Sequence, residues 1–213
     1  MTDRLTKIFN ELCPCEVFAD VGCDHGYIAK AMLDSGKAKK VVISDISKNC
    51  LIKAEELLSN DIACGRAESV VSDGFEKVSS CDLALIAGMG GEEIVGILQA
   101  CKNLPEKLVL QPMKNADKVR LCAVKLGYRI DKDFVFLSAG KFYELIVLSK
   151  GDDFLTEEEV EFGRTNLQIK PLAFKKMLEN KIEKLNAVLC QGNLVGTSKD
   201  ELTKKLEKLK RYV

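Results

Sequence analysis

Two kinds of hydrophobic pattern alternate along the first 126 residues. Short apolar runs predict strands at 16–21, 40–44, 67–71, 83–87 and 107–111. Apolar positions at helical spacing predict helices at 3–12, 27–33, 48–59, 92–100 and 116–126. Apolar strands that alternate with helices indicate a parallel sheet that is covered on both faces. We therefore predict a doubly wound α/β domain.

After Gly127 this alternation ends. Two further strands are predicted at 133–137 and 142–148, and Ser138 to Lys141 between them form a hairpin-length turn. They add an antiparallel hairpin edge to a mostly parallel sheet, which then has seven strands. We expect the first domain to comprise residues 1–150.

Residues 151–213 are predicted to form a second, helical domain. Leucine and isoleucine recur there at steps of three and four residues, which is typical of a coiled-coil-like seam. The seam positions are Leu178, Ile182, Leu185, Leu189, Leu202, Leu206 and Leu209. Gly192 and Gly196 interrupt the pattern, and Ser198 with Glu201 matches a capping box. We expect a helical hairpin.

Composition and charge narrow the class of protein. The chain of 213 residues is 46% apolar and 30% charged, as in a folded soluble protein. Its 32 basic and 32 acidic residues exclude a uniformly basic nucleic-acid binder. The charge is uneven, because residues 1–150 carry a net −1, residues 151–169 a net −5 and residues 170–213 a net +6. A basic tail suits an enzyme that binds nucleic acid through one region.

The nine cysteines come without an export or metal-binding pattern. The first 13 residues lack the apolar core of a secretory signal and no transmembrane segment fits, so we expect a cytoplasmic protein without membrane contact. An odd cysteine count argues against a disulfide framework, and we expect most cysteines to be small buried residues. Cys13 and Cys15 are the only close pair and His25 is the only histidine, so we predict no metal site.

The residues with candidate chemistry follow the predicted strands. Asp20 to Gly26 (DVGCDHG) come directly after the first strand, at the sheet edge where α/β proteins bind ligands. Glycines there let the backbone approach a ligand closely. The segment is neither the G-x-G-x-x-G fingerprint of dinucleotide sites nor a P-loop, so a nicotinamide dehydrogenase is the poorer interpretation.

Acidic residues also follow the next two strands. Asp45 stands where a carboxylate accepts hydrogen bonds from a ribose diol, although an Asp there is as often a turn residue or helix N-cap. Asp73-Gly74 is likewise a common turn dipeptide. The glycines in Gly88 to Gly91 either relieve packing or leave room for a flat substrate. Three acids on consecutive strands together favour an adenosine-type ligand.

In this order the segments resemble the class I S-adenosylmethionine-dependent methyltransferases, which have a Rossmann-like fold. More narrowly, VGCDHGYIA, SDGF, AGMGG, LQP and FYELIV with the helical tail resemble the bacterial tRNA (adenine-22-N1)-methyltransferase family over nearly the whole chain. The resemblance implies S-adenosyl-L-methionine as cofactor, tRNA as substrate and transfer to N1 of adenine. It implies cofactor contacts at the methionine end by Asp20, Gly22 and Gly26 and at the ribose by Asp45. It also implies contacts at the adenine by Asp73 and Gly74 and at the methyl group by Gly88. The neighbouring residues Cys23, Ile46 and Met89 are included in the implied cofactor site.

The same resemblance brings Gly90 and Gly91 against the target base. Tyr27 is a candidate to stack on an extruded base, as are Phe142 and Tyr143, although aromatic residues at such positions are more often part of the core.

Asp24 and His25 are the candidate catalytic residues. Adenine N1 carries its own lone pair, so its methylation needs no obligatory general base, but the product base is cationic. Asp24 stands where the class commonly has glycine, and its carboxylate would stabilise the developing cation. For His25 three roles are open: orienting Asp24, contacting the base, or satisfying a turn carbonyl. Cys23 is disfavoured as a nucleophile, and a motif for exocyclic amino methylation is missing after the fourth strand.

Lys175, Lys176 and other cations of the tail are expected to contact tRNA phosphates, although charge runs are usually solvated helix faces. We expect no obligate protein partner and a monomer or weak dimer. Two other functions stay open. One is a methyltransferase of a small metabolite, with a dimerising tail; the other is a non-catalytic RNA-binding module that keeps a cofactor-shaped pocket.

Overall fold

The computed structural model describes residues 1–78, 80–190 and 197–213, with the backbone alone at 197 and 198. Its strands form a seven-stranded sheet in the order β3-β2-β1-β4-β5-β7-β6. They are Cys15–Val21 (β1), Ala38–Asp45 (β2), Ala67–Val71 (β3), Leu83–Met89 (β4), Lys107–Pro112 (β5), Tyr128–Ser138 (β6) and Lys141–Lys150 (β7). Strands β1 to β5 pair in parallel, and β7 lies antiparallel between β5 and β6. The predicted sheet with its antiparallel hairpin edge is confirmed.

The helices of the described residues connect and cover these strands. They are Asp3–Glu11 (α1), Tyr27–Asp34 (α2), Lys48–Leu57 (α3), Ser59–Ala63 (α4), Gly91–Ala100 (α5), Ala116–Lys125 (α6), Glu157–Phe162 (α7), Arg164–Ile169 (α8), Leu172–Cys190 (α9) and Thr197–Lys210 (α10). The five helices predicted before Gly127 are present. The third is divided, because Leu58 with φ −100° and ψ 12° ends α3 and precedes α4.

The core lies in two layers, one on each face of the sheet. Neighbouring side chains of a strand point to opposite faces. Phe18 of β1 therefore packs with Ile8 and Met32 under the first helices, and the next residue, Ala19, packs with Ile94 under α5 and α6. The central strands are apolar on both faces for this reason, which made them continuous apolar runs in the sequence.

Strand β6 is longer than predicted because a bulge interrupts its pattern. It begins at Tyr128, and its register with β7 shifts between Ile130 and Lys132. Two consecutive exposed residues, Asp131 and Lys132, break the alternation of buried and exposed positions there. The short helices α7 and α8 were also not predicted, since the acidic sequence of α7 (EEEVEF) has no apolar period.

The C-terminal helices pack on the outer strand of the sheet. A third apolar cluster joins Val135 of β6 to Phe162, Phe174, Met177, Leu178 and Leu209. The two predicted helices, α9 and α10, are present and contact each other. The apolar cluster that includes the seam residues Leu178 and Leu209 also includes Val135, so the two helices pack on β6 as well as on each other. Gly192, Gly196 and the side chain of Ser198 lie outside the described residues.

A buried ion-pair network links α6, β6 and β7 to α7. Arg120, fully buried, donates from Nε to Asp133 Oδ2 at 2.9 Å, from Nη2 to Glu144 Oε1 at 3.0 Å and from Nη1 to the carbonyl oxygen of Val160 at 3.1 Å. Burial by itself lowers the pKa of Arg120, but the two carboxylates outweigh it and the net shift is upward. The C-terminal segment is thus attached by buried charge as well as by apolar packing.

All nine cysteines are free thiols. The expectation that most are buried is wrong: Cys23 and Cys122 are buried, Cys64 and Cys190 are exposed and the other five are half-buried. Several of the half-buried ones lie at the ends of helices and strands instead of in their middles. Among the described residues, no helix combines the length and hydropathy that a membrane span requires.

Candidate active site

The loop after β1 is held in a left-handed shape by its neighbours. The backbone N–H groups of Gly22 and Cys23 donate to the carbonyl oxygen of Ser44 at 2.8 and 3.1 Å. Gly22, Asp24 and Gly26 have positive φ of 76°, 48° and 71°, which glycine adopts freely and aspartate tolerates. A β-carbon on Gly26 would lie 2.9 Å from a side chain of α3. The turn itself therefore requires the glycines at 22 and 26.

Asp20 lies next to this loop, near the end of β1, and is 5% exposed. Burial raises the pKa of its carboxyl group to about 7; the backbone N–H of Ala29 partly offsets this, and the nearby carboxylate of Asp45 adds to it. A cationic ligand group would restore the ionised form. Asp20 is thus suited to receive a positive charge.

The other two predicted acids lie at the ends of the adjacent strands β2 and β3. Asp45 Oδ1 accepts a hydrogen bond from the backbone N–H of Ser47 at 2.8 Å, so one carboxylate oxygen has the expected turn role. The side chain of Ile46 beside it is 71% exposed. Asp73 is exposed, and a β-carbon on Gly74 (φ 54°) would come within 2.7 Å of Ile97. Since β1, β2 and β3 are neighbours in parallel, the three acids share one sheet edge.

The loop after β4 is joined to the loop after β5. The N–H of Met113 donates to the carbonyl oxygen of Met89 at 2.8 Å, and that of Gly91 to Lys114 at 2.9 Å. A β-carbon on Gly91 would lie 2.4 Å from the carbonyl oxygen of Asn115, so packing alone requires this glycine. Gly88 has φ 84°, and Gly90 precedes α5 as its N-cap. Of the two interpretations of this glycine-rich loop, relief of packing applies at Gly91.

Asp24, His25 and Tyr27 contact one another between the end of β1 and the first residue of α2. Nδ1 of His25 lies 2.9 Å from Oδ2 of Asp24, and their side chains are 37% and 69% exposed. The rings of His25 and Tyr27 are stacked, with centroids 5.5 Å apart and planes 5° apart. Cys23 is buried, which raises the pKa of its thiol. The geometry thus pairs His25 with Asp24, and Cys23 lacks the thiolate character of a nucleophile.

Two site residues were missed from the sequence. Nε of Arg4, on α1, donates to Oε1 of the buried Gln111 at the end of β5 at 2.8 Å. The guanidinium lies 5.4 Å from the ring centroid of Tyr143, and Nη2 is 3.0 Å from the position of a β-carbon on Gly88. The available signal was that Arg4 precedes Ile8 by four residues and so lies on the apolar face of α1.

The remaining candidates lie on α9 and β7. Lys175 is half-buried and Lys176 exposed on α9, which packs on β6. Phe142 packs against the third apolar cluster, so the core interpretation applies to it. Tyr143 stacks on Phe136 at 5.5 Å and lies at the site through its contact with Arg4.

Five parallel strands, three acids at adjacent strand ends and an antiparallel strand inserted between β5 and β6 define a class I S-adenosylmethionine-dependent methyltransferase. The model of one family, tRNA (adenine(22)-N(1))-methyltransferase, matches residues 18–212. The chain belongs to this family. Membership makes it an enzyme that methylates N1 of adenine in tRNA with S-adenosylmethionine as donor, and the resemblance read from the sequence is confirmed over its alternatives.

Individual relatives agree with this assignment. A tRNA (adenine(22)-N(1))-methyltransferase of Bacillus subtilis is 29% identical over 157 residues, covering 71% of this chain and 66% of that protein. A Mycoplasma pneumoniae protein named as a candidate tRNA methyltransferase is 30% identical over 183 residues, covering 80% of this chain and 84% of that protein. The solved structure of M. capricolum TrmK with S-adenosyl-homocysteine is 25% identical, has a TM-score of 0.90 and covers 100% of this chain and 97% of that one.

Proposed function

We propose that the cofactor binds across the carboxyl ends of β1, β2 and β3, and that the target adenine lies over the joined loops after β4 and β5. The observation that carries this proposal is the set of acids at three adjacent strand ends, Asp20, Asp45 and Asp73, beside glycines with positive φ. Ligands of open α/β sheets bind at this edge.

The donor and acceptor groups of these residues fit S-adenosylmethionine. The buried carboxyl of Asp20, with Gly22, Cys23 and Gly26 beside it, suits the ammonium of the methionine end. The carboxylate of Asp45 has an oxygen beyond the one held by Ser47 and can accept from a ribose diol. The exposed apolar side chain of Ile46 can cover the adenine ring. Asp73 with Gly74 can then accept from the adenine amino group, and Gly88 with Met89 border the methyl group.

The transfer step itself needs alignment more than acid–base chemistry. When bound, S-adenosylmethionine would supply an electrophilic methyl group on its sulfonium. The lone pair of adenine N1 would form the new bond to that methyl group as the S–CH3 bond breaks, and the sulfur would leave as a neutral thioether. Holding the base in line contributes about 7 to 11 kcal/mol. Tyr27 offers a stacking face for the extruded base, and Gly90 and Gly91 present no side chain to it. Asp24, oriented by His25 at 2.9 Å, stabilises the positive charge that develops on the base.

Residues 151–213 are proposed as the tRNA-binding helical domain and residues 1–150 as the catalytic domain. Residues 170–213 carry the excess of positive charge, with Lys176 exposed and Lys175 half-buried. A groove of about 680 Å³ runs from Asn115, beside the loop after β5, to Lys181, Lys184 and Lys205 of the tail. Its lining also holds the carboxylates of Asp117, Glu144 and Glu161, so only the end formed by the three lysines suits phosphates. In this proposal the enzyme acts in the cytoplasm. It is a monomer or weak dimer, and sedimentation of the pure protein tests this oligomeric state.

The assignment is tested with unmodified tRNA, labelled S-adenosylmethionine and nucleoside analysis. We expect 1-methyladenosine, and no product from a tRNA in which adenine 22 is replaced by guanine. A pool of small metabolites serves as the competing substrate. Label in the metabolites without label in tRNA, or methylation of an exocyclic amino group, would contradict the proposal.

A further inference from the structure

A cation from outside the sheet reaches the site beside the loop after β4. Arg4 belongs to α1, yet Nη2 of its guanidinium lies 3.0 Å from the β-carbon position of Gly88, near the end of β4. Its Nε is held by Oε1 of Gln111, and the Nε2 of that amide donates to the carbonyl oxygen of Pro112 at 3.0 Å. Gln111 is fully buried. The guanidinium is therefore held in one orientation by a fixed partner.

This guanidinium is half-buried, and none of the described residues gives it an acidic partner. Of its five N–H donors, the one on Nε is used, and Nη1 and Nη2 donate to no described residue. Burial lowers the pKa of Arg4, and no carboxylate of the described residues counteracts this. The face of Tyr143 at 5.4 Å offsets part of the cost. A desolvated cation with free, oriented donors is complementary to an oxyanion that arrives from outside.

We propose that Arg4 binds a backbone phosphate that flanks the target adenosine, an inference that rests on the proposed function. Gln111 ends β5 and Tyr143 begins β7, so Arg4 lies over the β4, β5 and β7 part of the edge and not over the acids of β1, β2 and β3. That part is the one assigned to the base, and an extruded nucleotide carries phosphates on both sides. The planar fork of arginine matches two phosphate oxygens.

The test compares Arg4→Met with a matched control, Arg129→Met. Arg129 is exposed and pairs with Asp131 and Ser149 near the first residue of β5, at the opposite edge of the sheet. For unmodified tRNA we expect Arg4→Met to raise Kd about tenfold, as for one charge-assisted contact. The slope of log Kd against log salt should fall by about 0.7 to 0.9, the value of one phosphate contact. Arg129→Met should change neither quantity, and Kd for S-adenosylmethionine should stay within twofold in both variants.

A second arm locates the phosphate. Two tRNAs are made, one with a neutral methylphosphonate 5′ to the target adenosine and one with it 3′. For one of these tRNAs, the Kd should be the same with wild type and with Arg4→Met. Arg4→Lys keeps the charge without the fork and should retain the salt slope with intermediate affinity. Any of three results would overturn the inference. The first is that Arg4→Met weakens the binding of both methylphosphonate tRNAs as much as that of normal tRNA. The others are an unchanged salt slope, and weaker binding of the cofactor without weaker binding of tRNA. Methylation by wild type in the same series tests the proposed function separately.

Discussion

The side chain of Met89 at the end of β4 lies directly over the backbone of Gly22 in the loop after β1. A β-carbon on Gly22 would come within 2.0 Å of Met89 Cε, and Gly22 has φ 76°. The contact joins the loop assigned to the methionine end of the cofactor to the loop assigned to the methyl group. A side chain at position 22 must therefore both adopt a left-handed backbone and displace Met89.

Gly22→Ala should separate these two effects. The flexible end of Met89 can swing away. The free energy of unfolding should therefore fall only by about 1–2 kcal/mol, which is the cost of placing alanine in a left-handed backbone conformation. Kd for S-adenosylmethionine should rise roughly tenfold or more, because the β-carbon and the displaced methionine enter the pocket. Urea denaturation and calorimetry measure the two quantities. In a Met89→Ala background the affinity loss should shrink; an undiminished loss would show that Met89 plays no part.

Asp20→Asn should change how both stability and cofactor affinity depend on pH. The folded-state pKa of about 7 lies above the usual aspartate value of 3.8, so folding favours the protonated carboxyl, and stability falls as pH rises from about 4 to about 7 and stays level above that. At pH 8.5 the variant should be more stable than wild type by at least about 1.4 kcal/mol, the value of one pKa unit. At about pH 3, where the carboxyl is protonated in both the folded and the unfolded protein, the two should be similar.

The same carboxyl should control cofactor affinity in the opposite direction. Ionised Asp20 attracts the ammonium, so wild-type affinity should rise from pH 5.5 to 7.5 while that of Asp20→Asn stays flat. Calorimetric Kd values at these two pH values suffice. Parallel pH profiles for the two proteins would remove Asp20 from the cofactor site.

The sequence predicted the residues whose position follows from the sheet alone. Asp45 ends one parallel strand and Asp73 follows the next by two residues. Parallel strands bring their carboxyl ends to one edge, so the proximity of these acids needed no knowledge of packing. Arg4 was missed because its partner Gln111 lies 107 residues away and only the docking of α1 brings them together. Arg120 was missed for another reason: a charge is usually at the surface, and only its two carboxylate partners make burial tolerable.

Asp24→Asn should lower the rate of methyl transfer far more than the affinity for cofactor. Asparagine tolerates the left-handed backbone at φ 48° and keeps the size of the side chain, so the change removes charge alone. Because Asp24 is 69% exposed, solvent weakens its field, and we expect a loss of about tenfold, below the 10² to 10³ of a buried group. Single-turnover rates with saturating tRNA measure it. Equal rates for both proteins would exclude stabilisation of the cation by Asp24.

Arg120→Met should destabilise the attachment of the C-terminal segment. It leaves the fully buried Asp133 without its cation, although the N–H groups of Arg164 and Thr165 still donate to it. Breaking a buried pair in this way costs about 3–5 kcal/mol. Arg129→Met, at an exposed pair, should stay within about 0.5 kcal/mol. Chemical denaturation of both variants gives the comparison, and similar values would mean that the network contributes little.

Reversing charge on α9 tests the tRNA-binding role of the tail without unfolding it. Deletion of residues 170–213 would expose Val135 and its neighbours, since Phe174, Leu178 and Leu209 cover them, so lost activity could then reflect lost folding. Lys175→Glu with Lys176→Glu should leave melting temperature and cofactor Kd unchanged and weaken tRNA binding by tenfold or more at low salt, with a reduced salt slope. Lys39→Glu with Lys40→Glu, at the exposed start of β2, is the matched control. Equal loss in both double variants would indicate non-specific attraction and not a site on α9.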